Sequence, residues 1–171
     1  MSIQYRTIIG IDPGATGAIA VFWGAQLTRV LDIAHLKETG KSKKRINISD
    51  LVASLRILVG NAGHPDLVTV YMEQAHAMPG QGVSSMFAYG RTNGIIEGVL
   101  GGIGVVNVKK VVPAVWKRRL NLLGHNGNKM AGMEKARRLY PSAPLELAKH
   151  HNRAEAILIG HYGCLVEGVM K

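Results

Sequence analysis

Along the first third of the chain, apolar residues come in short β-branched runs separated by turn residues. Thr7 to Ile11 is such a run and stops at Asp12-Pro13-Gly14, which predicts a buried strand ending at Asp12. Gly17 to Trp23 and Gln26 to Ile33 flank Gly24-Ala25 and predict two more strands, an antiparallel meander with the first. His35 to Arg45 carries Lys37, Lys41, Lys43, Lys44 and Arg45 around Gly40 and reads as a mobile basic loop. Ser49 as N-cap, Asp50 in the first turn, and Leu51, Leu55 and Leu58 at helical spacing predict an amphipathic helix that stops near Gly60.

The pattern then changes to strands alternating with helices. Asp66 to Met72 predicts a fourth strand, ending at Glu73, and Ala75 to Gly82 is a Gly/Pro-bearing loop. Ser84 to Leu100 has the length and period of a helix, with Gly94 and Gly98 permitting close packing. Val105 to Val112 predicts a fifth strand, and Pro113 starts a helix through Trp116, its anchor, to Leu122. After a Gly/Asn loop at 124–128, Met130 to Tyr140 predicts a short basic helix closed by Pro141. The last helix runs from about His151 to Val166, with Ala154, Ile157, Leu158 and His161 on one face. Together these elements specify an α/β fold, a mixed five-stranded sheet flanked by helices. No linker or internal repeat divides residues 1–171, so one domain is expected.

Composition narrows the partners. Of 171 residues, 47% are hydrophobic and 19% charged, which fits a globular chain and excludes disorder and coiled coil. Lysine plus arginine number 21 against 11 acids, a net charge of +10, so the molecule attracts polyanions and nucleic acid is the leading partner. No apolar stretch is long enough to cross a membrane, and no membrane partner is expected. The single cysteine, Cys164, forms neither an internal disulfide nor a cysteine zinc cluster, and the start of the chain lacks a signal-peptide pattern. A cytoplasmic setting is therefore expected.

Because acids are scarce, their positions are informative. Asp12 and Glu73 fall at the C-terminal ends of the first and fourth predicted strands, where a carboxylate is costly unless paired, hydrated or metal-bound. The plain alternative is a carboxylate that accepts hydrogen bonds from the turn after it. Glu155 follows the polar start His150-His151-Asn152-Arg153 of the last helix, and His151 lies one turn before it on the same face. Carboxylates from two strand ends and a helix start are the donors that Mg²⁺ or Mn²⁺ requires, and two such ions activate water for phosphodiester cleavage.

Ile9-Gly-Ile-Asp-Pro-Gly-Ala-Thr-Gly-Ala18 resembles the first catalytic strand of RuvC-type Holliday junction resolvases, and Tyr71-Met-Glu73 resembles the second. Met78 to Gly94 is similar to the loop and helix of the bacterial and phage members, and Val112 to Lys117 and Arg153 to Ala156 extend the likeness over about residues 6 to 163. The resemblance implies an RNase H-like fold, a homodimer, and paired incisions in a four-way DNA junction using Mg²⁺ or Mn²⁺, two per site. Asp12, Glu73 and Glu155 match its acidic positions. Many relatives carry aspartate at the fourth, where this chain offers His150, His151 and Asn152; we assign His151, because it points with Glu155. A catalytically weakened junction-binding protein of the same fold is the alternative, and the motifs suggest a bacterial cell with a phage-encoded gene.

Basic residues near the expected site are candidates for phosphate contact: Arg91, Lys109, Lys110, Lys117, Arg118, Arg119, Lys129, Lys135 and Arg153. Gln81, Ser84 and Ser85, in the loop after Glu73, are placed to reach the junction centre. Met86 and Phe87 read equally well as wedges between bases or as core.

Overall fold

The computed structural model describes residues 6–37, 44–74, 82–123 and 129–170. Three strands, β1 (Thr7–Asp12), β2 (Ala18–Trp23) and β3 (Gln26–Asp32), form the antiparallel meander that the turn residues predict. β4 (His35–Lys37) pairs with β5 (Lys44–Ile46) in a separate ribbon. Then come α1 (Ile48–Asn61), β6 (Val68–Glu73), α2 (Val83–Gly102), β7 (Val108–Val111), α3 (Pro113–Arg119), α4 (Lys129–Leu139) and α5 (His151–Val166). The main sheet has the order β3-β2-β1-β6-β7, with β6 parallel to both β1 and β7. This is the mixed five-stranded sheet expected, with the added strands on the side of β1 away from the meander.

The near-continuous apolar sequence of β1 follows from its central place, with both faces covered. Ile9 and Ile11 point into one core with Val70 and Met72 of β6, Leu51 and Leu55 of α1, and Ile96 and Leu100 of α2. Ile8 points into the other with Phe22, Tyr71, Trp116 of α3, Met133 of α4, and Ala156 and Ile157 of α5. Gly10 shares the α5 side, because side chains alternate along a strand. A methyl group there would strike the Ala156 carbonyl and the Gly160 backbone, so α5 lies almost flush against β1. Gly160 and Gly163 make matching room for the rings of Phe22 and Tyr71.

Several expectations need correction. Residues 35–37 and 44–45 of the expected basic loop are paired, with Ile46, in the β4–β5 ribbon, while 38–43 lie outside the described residues. The N-cap of α1 is Asn47, whose side chain accepts from the Asp50 N–H, and not Ser49, which is inside the helix. Pro65–Leu67 forms a short 3-10 turn, so β6 starts at Val68 and not at Asp66. β7 starts at Val108 and not at Val105, after Gly104 at φ +87°. Ser84 and Ser85 belong to the first turn of α2, not to a loop, and Phe87 is exposed rather than core.

Candidate active site

The register of the parallel pair opposes Ile11 with Met72, so Asp12 and Glu73 end neighbouring strands at one edge of the sheet. By the same alternation that sends Ile11 and Met72 to the α1/α2 side, Asp12 and Glu73 face the side of α3 and α5. The turn after Asp12 is held tightly: Gly17 N–H donates to the Gly14 carbonyl at 3.0 Å, and a side chain at Gly17 would collide with the Asp12 carbonyl. α5 brings its first turn to this edge, since Ala156 and Gly160 lie over Gly10 while the Asn152 amide donates to the Thr16 carbonyl. His151, Asn152 and Glu155 therefore stand beside the Asp12 turn.

α3 supplies the fourth wall. Its Trp116 is buried, and the indole Nε1 donates to Glu73 Oε2 at 3.1 Å. The next residue, Lys117, puts Nζ 3.6 Å from Glu155 Oε1 and 5.1 Å from the centre of the Trp116 ring. From the opposite side α2 contributes Tyr89, whose hydroxyl is held well above the usual tyrosine range, first by burial and then by the negative charges of Glu73, Asp12 and Glu155. Consecutive residues of α3 thus reach one acid of the sheet and one of α5.

As a donor set, three carboxylates at one edge match the preference of a hard divalent cation for oxygen. They do not form a closed cage: among the described residues no three Asp, Glu, His or Cys side chains cluster tightly enough to hold a metal as they stand. The residues fit such an ion by the chemistry of their oxygen donors. Of the two histidines, His150 has Nδ1 accepting from the Leu147 N–H at 3.3 Å and lying 3.6 Å from Glu146. His151 opens α5, one turn before Glu155.

The basic candidates separate into distinct groups. Arg118 and Arg119 are exposed at the end of α3, and Arg91 on α2, with Ser84 and Ser85 exposed one to two turns earlier. Lys109 and Lys110 point to opposite faces of β7, where Lys109 pairs with Glu167 and Lys110 with Glu97 at 2.7 Å. Arg153 is engaged by Asp32, and Lys135 is half-buried on α4. Lys129 opens α4, and Gln81 lies outside the described residues. Sequence reasoning missed Tyr89, and it gave Trp116 an anchoring role without its link to Glu73. An indole buried on a seven-residue helix must find an acceptor, but nothing in the sequence names it.

The sequence matches no known family profile and no curated protein. Solved structures do match. RuvC of T. thermophilus in complex with a Holliday junction substrate superimposes with a TM-score of 0.68 at 15% identity, covering 96% of each chain. Another structure of Thermus thermophilus RuvC gives 0.65 at 17% identity, covering 95% of this chain and 96% of that one. The fold is therefore the RuvC, RNase H-like one. Among the described residues no helix is long and apolar enough to cross a membrane.

Proposed function

We propose that the chain is a structure-selective endonuclease that resolves four-way DNA junctions by metal-dependent phosphodiester hydrolysis, two copies making paired nicks. The observation that carries this reading is that Asp12 and Glu73 end neighbouring strands of a RuvC-like sheet while consecutive α3 residues, Trp116 and Lys117, reach Glu73 and Glu155. It is supported by the net charge of +10, and by a fold neighbour captured with a Holliday junction.

In this reading Asp12, Glu73, Glu155 and His151 would hold Mg²⁺ or Mn²⁺, two ions per site, and the ions would supply an activated water and stabilisation of the leaving oxygen. The protein's own groups hold the carboxylates and the DNA. Trp116 fixes one oxygen of Glu73 with a neutral donor. Lys117 balances the charge of Glu155 and offers an ammonium at the edge where a phosphate would lie. Arg91, Arg118 and Arg119 draw the DNA backbone toward that edge without reading sequence. The choice of His151 rests on its register with Glu155, one turn later on the same helix.

A twofold dimer supplies the two sites that symmetric cutting needs. The exposed Val83 and Phe87 on the outer half of α2 are the apolar surface proposed to meet the second copy. Incubation with a four-way junction, a linear duplex and an RNA–DNA hybrid, with and without Mn²⁺, tests the function. Cleavage of the junction alone supports resolution. Binding without cutting assigns the weakened junction-binding role instead, and cutting of the hybrid assigns an RNA-cleaving enzyme. Sedimentation showing only monomer with junction present contradicts the dimer.

A further inference from the structure

Trp116 is the largest fully buried side chain among the described residues, at 1% exposure, and it packs in the same core as Leu120, Leu122 and Met133. A buried indole N–H requires an acceptor, and a backbone carbonyl would serve packing equally well. Here the acceptor is a carboxylate oxygen of Glu73, at the very end of β6. The donor is neutral, does not titrate in the range of enzyme activity, and does not repel a cation, unlike a lysine or arginine in its place.

The neighbouring side chain acts on a different element. Lys117 reaches Glu155 of α5 at 3.6 Å while its ammonium lies over the Trp116 ring. Two consecutive residues of α3 thus hold one acid from the sheet and one from the last helix. The pair differs in kind: Lys117 is 30% exposed by side chain and can move toward an incoming phosphate, whereas Trp116 is buried in the core.

Resting on the nuclease reading above, we propose that Trp116 is a positioning residue for metal binding: its indole N–H orients Glu73 so that the carboxylate is presented ready-made to the divalent cation. Groups behind metal ligands typically change metal affinity by about 10–100-fold when removed. Trp116→Phe keeps an aromatic ring in the core and removes the donor.

The test titrates DNA-free protein with Mn²⁺ by calorimetry, comparing the parent, Trp116→Phe and Leu120→Ala, with thermal melts on each. Trp116→Phe is expected to bind Mn²⁺ about 10–100-fold more weakly, and its junction cleavage is expected to recover as Mn²⁺ is raised. Leu120→Ala, which touches the same core but not Glu73, is expected to melt earlier and to bind Mn²⁺ as the parent does. The chain has two tryptophans, so a Trp23→Phe background leaves one indole N–H resonance, which requires no change at Trp116. That resonance is expected to shift with Mg²⁺, and Glu73→Gln is expected to move it and abolish its Mg²⁺ response. Equal Mn²⁺ affinity in Trp116→Phe, or an indole signal indifferent to Mg²⁺ in protein that binds it, overturns the proposal while leaving the nuclease reading intact. A parent that neither binds Mn²⁺ nor cuts the junction overturns both.

Discussion

Arg153 and Asp32 form a two-pronged ion pair, with Nε donating to Oδ1 and Nη2 to Oδ2, each at 2.6 Å. A third donor, Nη1, reaches the Pro144 carbonyl at 3.1 Å. The pair ties the first turn of α5 to the end of β3 and keeps that turn against the acidic edge. Arg153 holds the Asp32 carboxyl below its usual 3.8, chiefly through the hydrogen bonds and against the opposing effect of burial. Because the folded value is lowered, this stabilisation is present above pH 3.8 and is lost as pH falls below it. The Asp32 side chain is 57% exposed, so the pair contributes little more than a surface bridge, about 0.2–1 kcal/mol. Arg153→Gln is expected to lower the melting temperature at pH 7 by a few degrees at most, with the deficit shrinking as pH falls below 3.8. Thermal melts at pH 7 and below pH 3.8 check this. A large loss of junction affinity with unchanged melting would instead return Arg153 to the DNA surface.

Gly10 and Gly60 give opposite expectations. A Cβ at Gly10 has no room against the α5 backbone, and neither side can yield without moving the helix off the sheet. Gly10→Ala is expected to destabilise by about 3 kcal/mol or more, or to prevent folding. Nothing lies within 4 Å of a Cβ at Gly60, in the last turn of α1. Gly60→Ala is expected to stabilise by about 0.5–1 kcal/mol, as in any open helical position. Urea unfolding of the two variants measures both.

Tyr140, just after α4, shares a 2.6 Å hydrogen bond between its hydroxyl and His161 Nδ1 on α5. Burial holds His161 below its usual 6.5, and the nearby positive charge of Lys135 on α4 adds to this. Tyr140 is itself held above the usual tyrosine range by burial, so it stays neutral. With the folded value of His161 lowered, its contribution is fully present above pH 6.5 and is lost as pH falls below it. Melting temperature is therefore expected to drop between pH 7.5 and 5, and to drop less in His161→Gln, which keeps an acceptor but does not titrate. Equal slopes for the two proteins contradict the assignment.

Arg118 and Arg119 are exposed, whereas Lys109 is occupied by Glu167, which also accepts from the Tyr71 hydroxyl at 2.7 Å. Replacing either arginine by alanine is expected to weaken junction binding and to reduce the slope of log affinity against log salt by about 1. Lys109→Ala is expected to cost stability rather than affinity. Gel shifts across a salt series, with melts on the same samples, separate the two effects.

The sheet was legible because its strands are punctuated by glycine, proline and asparagine, and its central strands are apolar on both faces. The acids stood out for the same reason: Asp12 and Glu73 interrupt apolar runs at strand ends. Short-range choices were less visible. Asn47 and Ser49 are both good caps, and only the folded chain selects Asn47. The β4–β5 ribbon, three residues on each side and rich in lysine, carries too short an alternation to distinguish it from a loop. Neither the Trp116–Glu73 bond nor the approach of Tyr89 was readable, since each joins residues more than ten positions apart and depends on how α2 and α3 seat against the sheet.

Cleavage of a four-way junction in Mn²⁺ by the parent and by Asp12→Asn, with gel shifts on the same preparations, is the most direct measure of the central claim. The account expects the parent to cut, and Asp12→Asn to bind the junction within a few-fold of the parent while its cleavage falls by orders of magnitude, because the basic surface survives the loss of one metal-binding charge. Undiminished cutting by a folded Asp12→Asn would contradict it.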